Sequence, residues 1–161
     1  MRALFKSLCL AGALMLFAIA QAQKIAPELR EYVYRFSNEV SSRGILFTAN
    51  IKAIKFPDSA DYQLHQFNMR NPNWAGVAVR NNYTNQYIVY LNRQSFDKSD
   101  ETGKEMLVFH ELIHAYFSML HFKGNCLMHE LNLTNSDALY YKENRKQVLD
   151  EVFTHYKSLM K

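Results

Sequence analysis

The feature that most constrains this chain is the motif H-E-x-x-H, formed by His110, Glu111 and His114. Residues four apart on an α-helix lie one turn above each other on the same face. The motif lies in a run of apolar residues at helical spacing, and Asp100 precedes that run as a candidate helix cap. We therefore expect a helix that presents two imidazoles and a carboxylate together.

This combination is typical of a catalytic zinc site. Two imidazoles one turn apart can bind a single Zn²⁺ at about 2.0–2.1 Å. A glutamate beside the first histidine can act on a water molecule at the metal without being a ligand. The sequence thus predicts one zinc ion per chain, with Glu111 as the catalytic base. If the motif is accidental, the histidines are core or solvent residues and the protein contains no stoichiometric metal.

A catalytic zinc site usually has three protein ligands, so a third must lie elsewhere in the chain. His121 follows the motif by seven residues. On an unbroken helix it would lie about 10 Å further along the axis than His114 and could not reach the same ion. The helix would have to end between Phe117 and Leu120, where no glycine or proline marks an end. Other downstream candidates, left open by the spacing alone, are His129, Glu130 and Glu143.

The N-terminal residues 1–22 have the features of a secretory signal peptide. Two basic residues, Arg2 and Lys6, precede an apolar run that is too short to span a membrane, which needs about 20 residues. Ala20-Gln21-Ala22 is an A-x-A cleavage signal, with Ala18-Ile19-Ala20 as an alternative. We expect cleavage after Ala22 and a secreted or periplasmic protein without a membrane anchor. An uncleaved anchor is the competing interpretation.

Residues 23–161 are then expected to form a single domain with one core. The net charge of +4 falls to +2 without Arg2 and Lys6, and the remaining basic residues are scattered. This argues against a nucleic-acid partner. Cys126 is the cysteine that remains, so the mature chain has no intrachain disulfide. The sequence gives no indication of the oligomeric state.

Periodicity predicts the elements around the motif. Residues 27–42 have apolar positions at helical spacing, and Gly44 follows as a C-terminal stop. Residues 45–56 read as a strand with Ile51, Ala53 and Phe47 on one face. Residues 58–73 read as a loop, with room for a short helical turn.

Further along, 74–80 and 87–91 read as the strands of a hairpin. We expect Tyr87–Leu91 to lie along the cleft with an exposed edge, to which an extended substrate could add. Residues 132–141 read as a loop. Residues 143–160 read as a closing helix whose buried stripe is Val148, Leu149, Val152, Phe153, Tyr156 and Leu159.

The stretch from Phe109 to Met128 resembles a group of small secreted bacterial proteins classed as metallopeptidases and related to the metzincins. Their pattern is H-E-x-x-H, a third histidine seven residues later and a turn that contains methionine, here His121 and Met128. Cys126-Leu127-Met128 also resembles the C-x-M element of archaemetzincins. The chain departs from the metzincin pattern H-E-x-x-H-x-x-G-x-x-H, since Phe117 replaces the glycine and His121 comes one residue later.

The resemblance implies a zincin-like α+β fold. A small mixed or antiparallel sheet would pack on the active-site helix, with further helices at the N- and C-terminal ends. It also implies that His121 is the third ligand and that Met128 forms a hydrophobic floor below the metal. A weaker likeness, to the intracellular SprT-like proteases, conflicts with the signal peptide and the lack of a basic patch.

The sequence therefore predicts a secreted zinc metallopeptidase that acts on a peptide or protein substrate. Zinc held by His110, His114 and His121 would activate water, and Glu111 would move its proton. The alternative is a secreted zinc-binding protein of zincin fold without catalysis. Pure metal binding does not need an acid beside the first histidine, which favours the enzyme.

Overall fold

The chain forms five α-helices and a three-stranded sheet within the residues that the computed structural model describes, which are 25–45, 51–65, 74–129 and 134–160. This confirms the predicted α+β class. After a 3₁₀ turn at Pro27–Leu29, the elements are α1 (Arg30–Ser42), β1 (Ile51–Lys55), α2 (Ser59–Leu64), β2 (Gly76–Asn81), β3 (Gln86–Leu91), α3 (Arg93–Lys98), α4 (Glu101–Phe117) and α5 (Asn135–Leu159). The predicted signal peptide, Phe47 and Glu130 lie outside the described residues.

Helix α1 ends where it was predicted to end, but it begins at Arg30, after the 3₁₀ turn, and not at residue 27. Its apolar face packs inward, with Val33, Phe36 and Val40 buried. It ends in a Schellman arrangement. The Ile45 N–H donates to the Val40 carbonyl at 3.2 Å, and Gly44 has a positive φ of 68°. Glycine takes this conformation without the steric cost that a Cβ would bring, so the predicted stop is confirmed.

The sheet order is β1-β3-β2, with β3 parallel to β1 and antiparallel to β2. The expectation that Tyr87–Leu91 forms an exposed edge is wrong, because β3 is the central strand and is hydrogen-bonded on both sides. Among the described residues, β2 is the strand with a free edge. The outer edge of β1 is partly covered, since the Ala26 N–H donates to the Ile54 carbonyl at 2.9 Å.

Strand β1 buries Ile51 and Ile54, and not the expected alternating pair Ile51 and Ala53. The pairing with β3 shifts register between Ile51 and Ala53. A bulge of this kind adds a residue to one strand and moves the following side chains to the opposite face. The predicted hairpin between β2 and β3 is confirmed, and its turn ends at Asn85 with a φ of 55°.

Helix α5 begins at Asn135, so the prediction of a loop through residue 141 is wrong. The Thr134 and Asp137 side chains cap each other's backbone N–H groups in a capping box, which stabilises a helix start in a polar stretch. The helix is kinked at Asn144, next to the start that apolar periodicity predicted. Its buried residues are Tyr141, Val148, Leu149, Val152 and Phe153, whereas Leu159 is 62 % exposed, contrary to expectation.

Helix α4 lies at the centre of the fold and contacts the sheet, α1 and α5. Its buried Glu105 carboxylate joins the three helices. It accepts hydrogen bonds from the Tyr141 hydroxyl at 2.9 Å, from Arg145 Nε at 2.6 Å and from Arg35 at 3.2 Å. These partners compensate the cost of burying the charge. None of the described helices combines the length and apolarity that crossing a membrane requires.

Candidate metal centre

The end of α4 brings a third histidine back toward the motif. The helix stops at Phe117, and Ser118 adopts a left-handed conformation with a φ of 49° and a ψ of 29°. A non-glycine residue rarely takes this conformation. The Ser118 hydroxyl lies 2.9 Å from the Tyr87 hydroxyl on β3, which anchors the turn. The chain reverses there, and the obstacle to His121 reaching the motif is removed.

Three imidazole nitrogens converge at this turn. The Nε2 atom of His110 lies 3.0 Å from that of His114, and the Nε2 atom of His121 lies 3.1 Å from each of the other two. These three are the residues whose ligand atoms lie close enough together to hold a metal ion within the described part of the chain.

Main-chain carbonyls orient two of the rings. His110 Nδ1 donates to the Leu127 carbonyl at 2.6 Å, and His114 Nδ1 donates to the Met119 carbonyl at 2.5 Å. A carbonyl can only accept, so each Nδ1 carries the proton and each Nε2 presents a lone pair. Such bonds from the second nitrogen are the usual means by which proteins orient metal-binding histidines.

Both rings are held in the neutral form. Burial, together with the neighbouring His114, lowers the pKa of His110 to about 4. Burial likewise lowers the pKa of His114. Two unprotonated Nε2 atoms that face each other at 3.0 Å cannot form a hydrogen bond, and their lone pairs repel unless a cation lies between them.

The three nitrogens fit a divalent cation. Ligand atoms at about 2.0–2.1 Å from a tetrahedral zinc ion are about 3.3 Å apart. The observed separations of 3.0–3.1 Å are close to that spacing. A set of three imidazole nitrogens suits zinc and also copper, iron and nickel.

Two of the alternative ligands are placed elsewhere, and the third, Glu130, lies outside the described residues. His129 and Glu143 are exposed, and neither belongs to the converging group. Cys126 is a free thiol that also lies outside this group, and burial raises its pKa to about 11. The Cys126-Leu127-Met128 turn contributes through its backbone, because the Leu127 carbonyl orients His110. Met128 is fully buried.

Glu111 lies against the open-edge strand. Its side chain is buried, and an added Cβ on Gly76 of β2 would lie 2.6 Å from Glu111 Cγ and 2.7 Å from Oε1. Glycine is thus the residue that leaves room for this carboxyl group. Burial raises the pKa of Glu111 to about 8, and a hydrogen bond with the Ala78 backbone acts in the opposite direction. A cation beside the carboxyl group would favour its ionised form.

Comparison with family models gives one assignment. The model of the family described as "Putative phage metallopeptidase" matches residues 17–157, which is most of the chain. The chain belongs to this family. The expected likeness to metallopeptidases is therefore confirmed, and the matched region includes all three converging histidines. No curated protein and no solved structure gives a significant match.

Three parts of this candidate metal centre were not predicted from the sequence. Gly76 is a glycine inside a strand, and that position is itself a signal for close approach by another group. Ser118 carries no such signal, because serine gives little indication of a left-handed turn. Backbone atoms supply the third part, the carbonyl groups of Met119 and Leu127, and side-chain identity does not reveal them.

Proposed function

We propose that this protein is a zinc-dependent peptidase in which His110, His114 and His121 hold one zinc ion and Glu111 is the general base. The observation that carries the proposal is the convergence of three imidazole nitrogens, two of them neutral and fixed in orientation, beside a buried glutamate. Membership of a metallopeptidase family supports the same reaction class.

In the proposed reaction, the metal ion would activate water and the carbonyl group, and the Glu111 side chain would transfer protons. Bound zinc lowers the pKa of a water molecule to about 7 and polarises a carbonyl group. Glu111 accepts the proton of the attacking water and later returns it to the amine nitrogen of the leaving group. The carbonyl groups of Leu127 and Met119 keep the first two histidines in the tautomer that ligation requires. The wall formed by Gly76 holds the Glu111 carboxyl group in place.

The substrate is proposed to be an extended peptide or protein segment. Strand β2 packs against α4, and no described strand pairs with its outer edge. A peptide can add to such an edge through main-chain hydrogen bonds. Because Gly76 of β2 contacts Glu111, a peptide bound along this strand would run close to the base. This assigns to β2 the role that the sequence suggested for β3.

We also propose that residues 1–22 direct export and are removed after Ala22, as the sequence features indicate. Expression of the full chain in a bacterial host, followed by N-terminal sequencing of the exported protein, tests this. An N-terminus at Gln23 is the expected result. Retention of Met1 in a membrane fraction would support the uncleaved anchor instead.

The test of the catalytic proposal is the variant Glu111→Gln. It keeps the shape of the side chain but cannot take a proton, so metal content should stay the same while peptide cleavage falls to background. Cleavage is measured with zinc-loaded protein on a mixture of quenched fluorescent peptides. Full activity in Glu111→Gln would refute the mechanism. A parent protein that holds zinc and cleaves nothing would support the non-catalytic alternative.

A further inference from the structure

A cleft of about 590 Å³ lies beside the start of strand β2, whose first residue, Gly76, contacts the proposed general base. Ala75, which lines the cleft, directly precedes Gly76, and Gly76 contacts Glu111. Leu107, also in its lining, lies one helical turn before Glu111 on α4. The cleft therefore lies next to residues that flank Glu111 and extends toward the start of α4.

The described lining of the cleft is partly apolar and partly polar, and two of its three charged residues are positive. Ala75 and Leu107 form one side, and Ala138 and Leu139 of α5 form another. Leu139 is 58 % exposed, which is unusual for a large apolar side chain. The methylene groups of a substrate side chain bound in the cleft would pack against these apolar side chains.

Two lysines also line the cleft. Lys98, at the end of α3, and Lys142, on α5, are both exposed, and neither has an ion-pair partner among the described residues. Asp100 is the one carboxylate in the described lining. Its side chain is occupied as the cap of α4, where Oδ1 accepts a hydrogen bond from the Gly103 N–H at 2.8 Å. The described lining thus contains two lysines without ion-pair partners and one carboxylate that already accepts a hydrogen bond.

We propose that this cleft is a specificity site that takes a carboxylate-bearing residue of the peptide substrate next to the scissile bond. The inference rests on the proposed peptidase function, because it names the substrate class of the same site. The carboxylate could belong to an acidic side chain or to the free C-terminus of the peptide, and the two sources share the same recognition by lysine.

The binding test uses the zinc-loaded Glu111→Gln variant, which should bind peptides without cleaving them. The probes are fluorescein-labelled, C-terminally amidated peptides in which each position in turn is Glu, Gln or Lys. Anisotropy should show tighter binding of Glu than of Gln at one position, by about tenfold for two exposed ion pairs. A second arm compares free and amidated C-termini on peptides without acidic residues, and it separates the two sources of carboxylate.

The decisive variant is Lys98→Glu with Lys142→Glu in the same background. The preference for Glu should disappear and Lys should become the better residue at that position. The matched control is Arg30→Glu with Lys52→Glu, which changes the net charge equally at exposed positions outside the cleft. This control should keep the preference. Two results would overturn the proposal. One is equal binding of Glu and Gln peptides by Glu111→Gln with both lysines intact, and the other is an unchanged preference for Glu in the cleft variant.

Cleavage by the parent protein separates the two proposals. If the parent cleaves peptides with no dependence on carboxylates, the cleft proposal fails and the peptidase proposal stands. If the parent cleaves nothing but binds carboxylate peptides with a preference that the cleft variant loses, the cleft proposal stands and the peptidase proposal fails.

Discussion

Replacement of Gly76 by alanine tests whether β2 positions Glu111, the proposed general base. The new methyl group would lie 2.6–2.8 Å from the Cγ, Oε1 and Cδ atoms of Glu111. Carbon atoms in ordinary contact are about 3.5–4.0 Å apart, so the overlap is about 1 Å. Because Glu111 is buried, its side chain can relieve this overlap only by moving the carboxyl group or the strand.

Two quantities should change in Gly76→Ala and one should not. Overpacking of this kind lowers the free energy of unfolding by about 1–3 kcal/mol. A displacement of the base by about 1 Å should lower kcat by about a hundredfold. Glu111 is not one of the three converging residues, so the zinc content should match that of the parent. Urea unfolding, peptide cleavage and elemental analysis measure the three quantities.

A double-mutant cycle isolates the contact. In a Glu111→Ala background the methyl group has room, so Gly76→Ala should cost less than about 0.5 kcal/mol there. The cycle is measured on metal-free protein, so that zinc binding does not contribute. If Gly76→Ala destabilises both backgrounds equally, the cost arises from the strand itself and the argument that β2 positions Glu111 is refuted.

Three other perturbations follow from the structure. Ser118→Val should lower the free energy of unfolding by about 1–2 kcal/mol and weaken zinc binding, because a β-branched residue disfavours the left-handed turn; unchanged zinc affinity in a chelator titration would contradict this. Glu105→Ala should cost about 1–3 kcal/mol in chemical unfolding, since it leaves the buried Tyr141 hydroxyl without its acceptor, while Arg145 keeps Glu39 as an ion-pair partner. Burial alone would raise the pKa of Asp61, but its ion pair with Lys55 and other hydrogen bonds lower it overall. Its contribution to stability is therefore present above pH of about 4 and lost as the pH falls below that, and Asp61→Asn should reduce this acid-induced loss of stability.

The sequence predicts those elements in which one local signal agrees with apolar periodicity. Helix α4 carries the Asp100 cap and a long apolar run, and the cap is observed with the Gly103 N–H as its donor. Helix α1 and its glycine stop were predicted for the same reason. In both cases the pattern spans several turns, so a single exceptional residue does not change the prediction.

Other features depend on tertiary structure. The central place of β3 follows from which strands meet across long connections, and chain order does not specify that. The bulge in β1 moves Ile54 into the core, and no residue type in this strand predicts a bulge. The early start of α5 had a readable signal, the pair Thr134 and Asp137 three residues apart, but the polar composition of the segment outweighed it.

The site divides in the same way. His110, Glu111 and His114 follow from motif spacing, whereas the place of His121 depends on a turn at Ser118 that the sequence does not mark. In the metzincin pattern the third histidine comes three residues after the glycine. Here His121 comes three residues after the left-handed Ser118. Both the turn and the third histidine are thus one residue later than in the metzincin pattern, and the spacing between them is the same.

The metal content of purified protein tests the central claim most directly. Elemental analysis is made on the parent protein and on His121→Ala, His129→Ala and Glu111→Gln. We predict about one zinc per chain in the parent, in His129→Ala and in Glu111→Gln, and loss of zinc in His121→Ala. A parent without stoichiometric metal, or zinc that is lost in His129→Ala and kept in His121→Ala, would contradict the account.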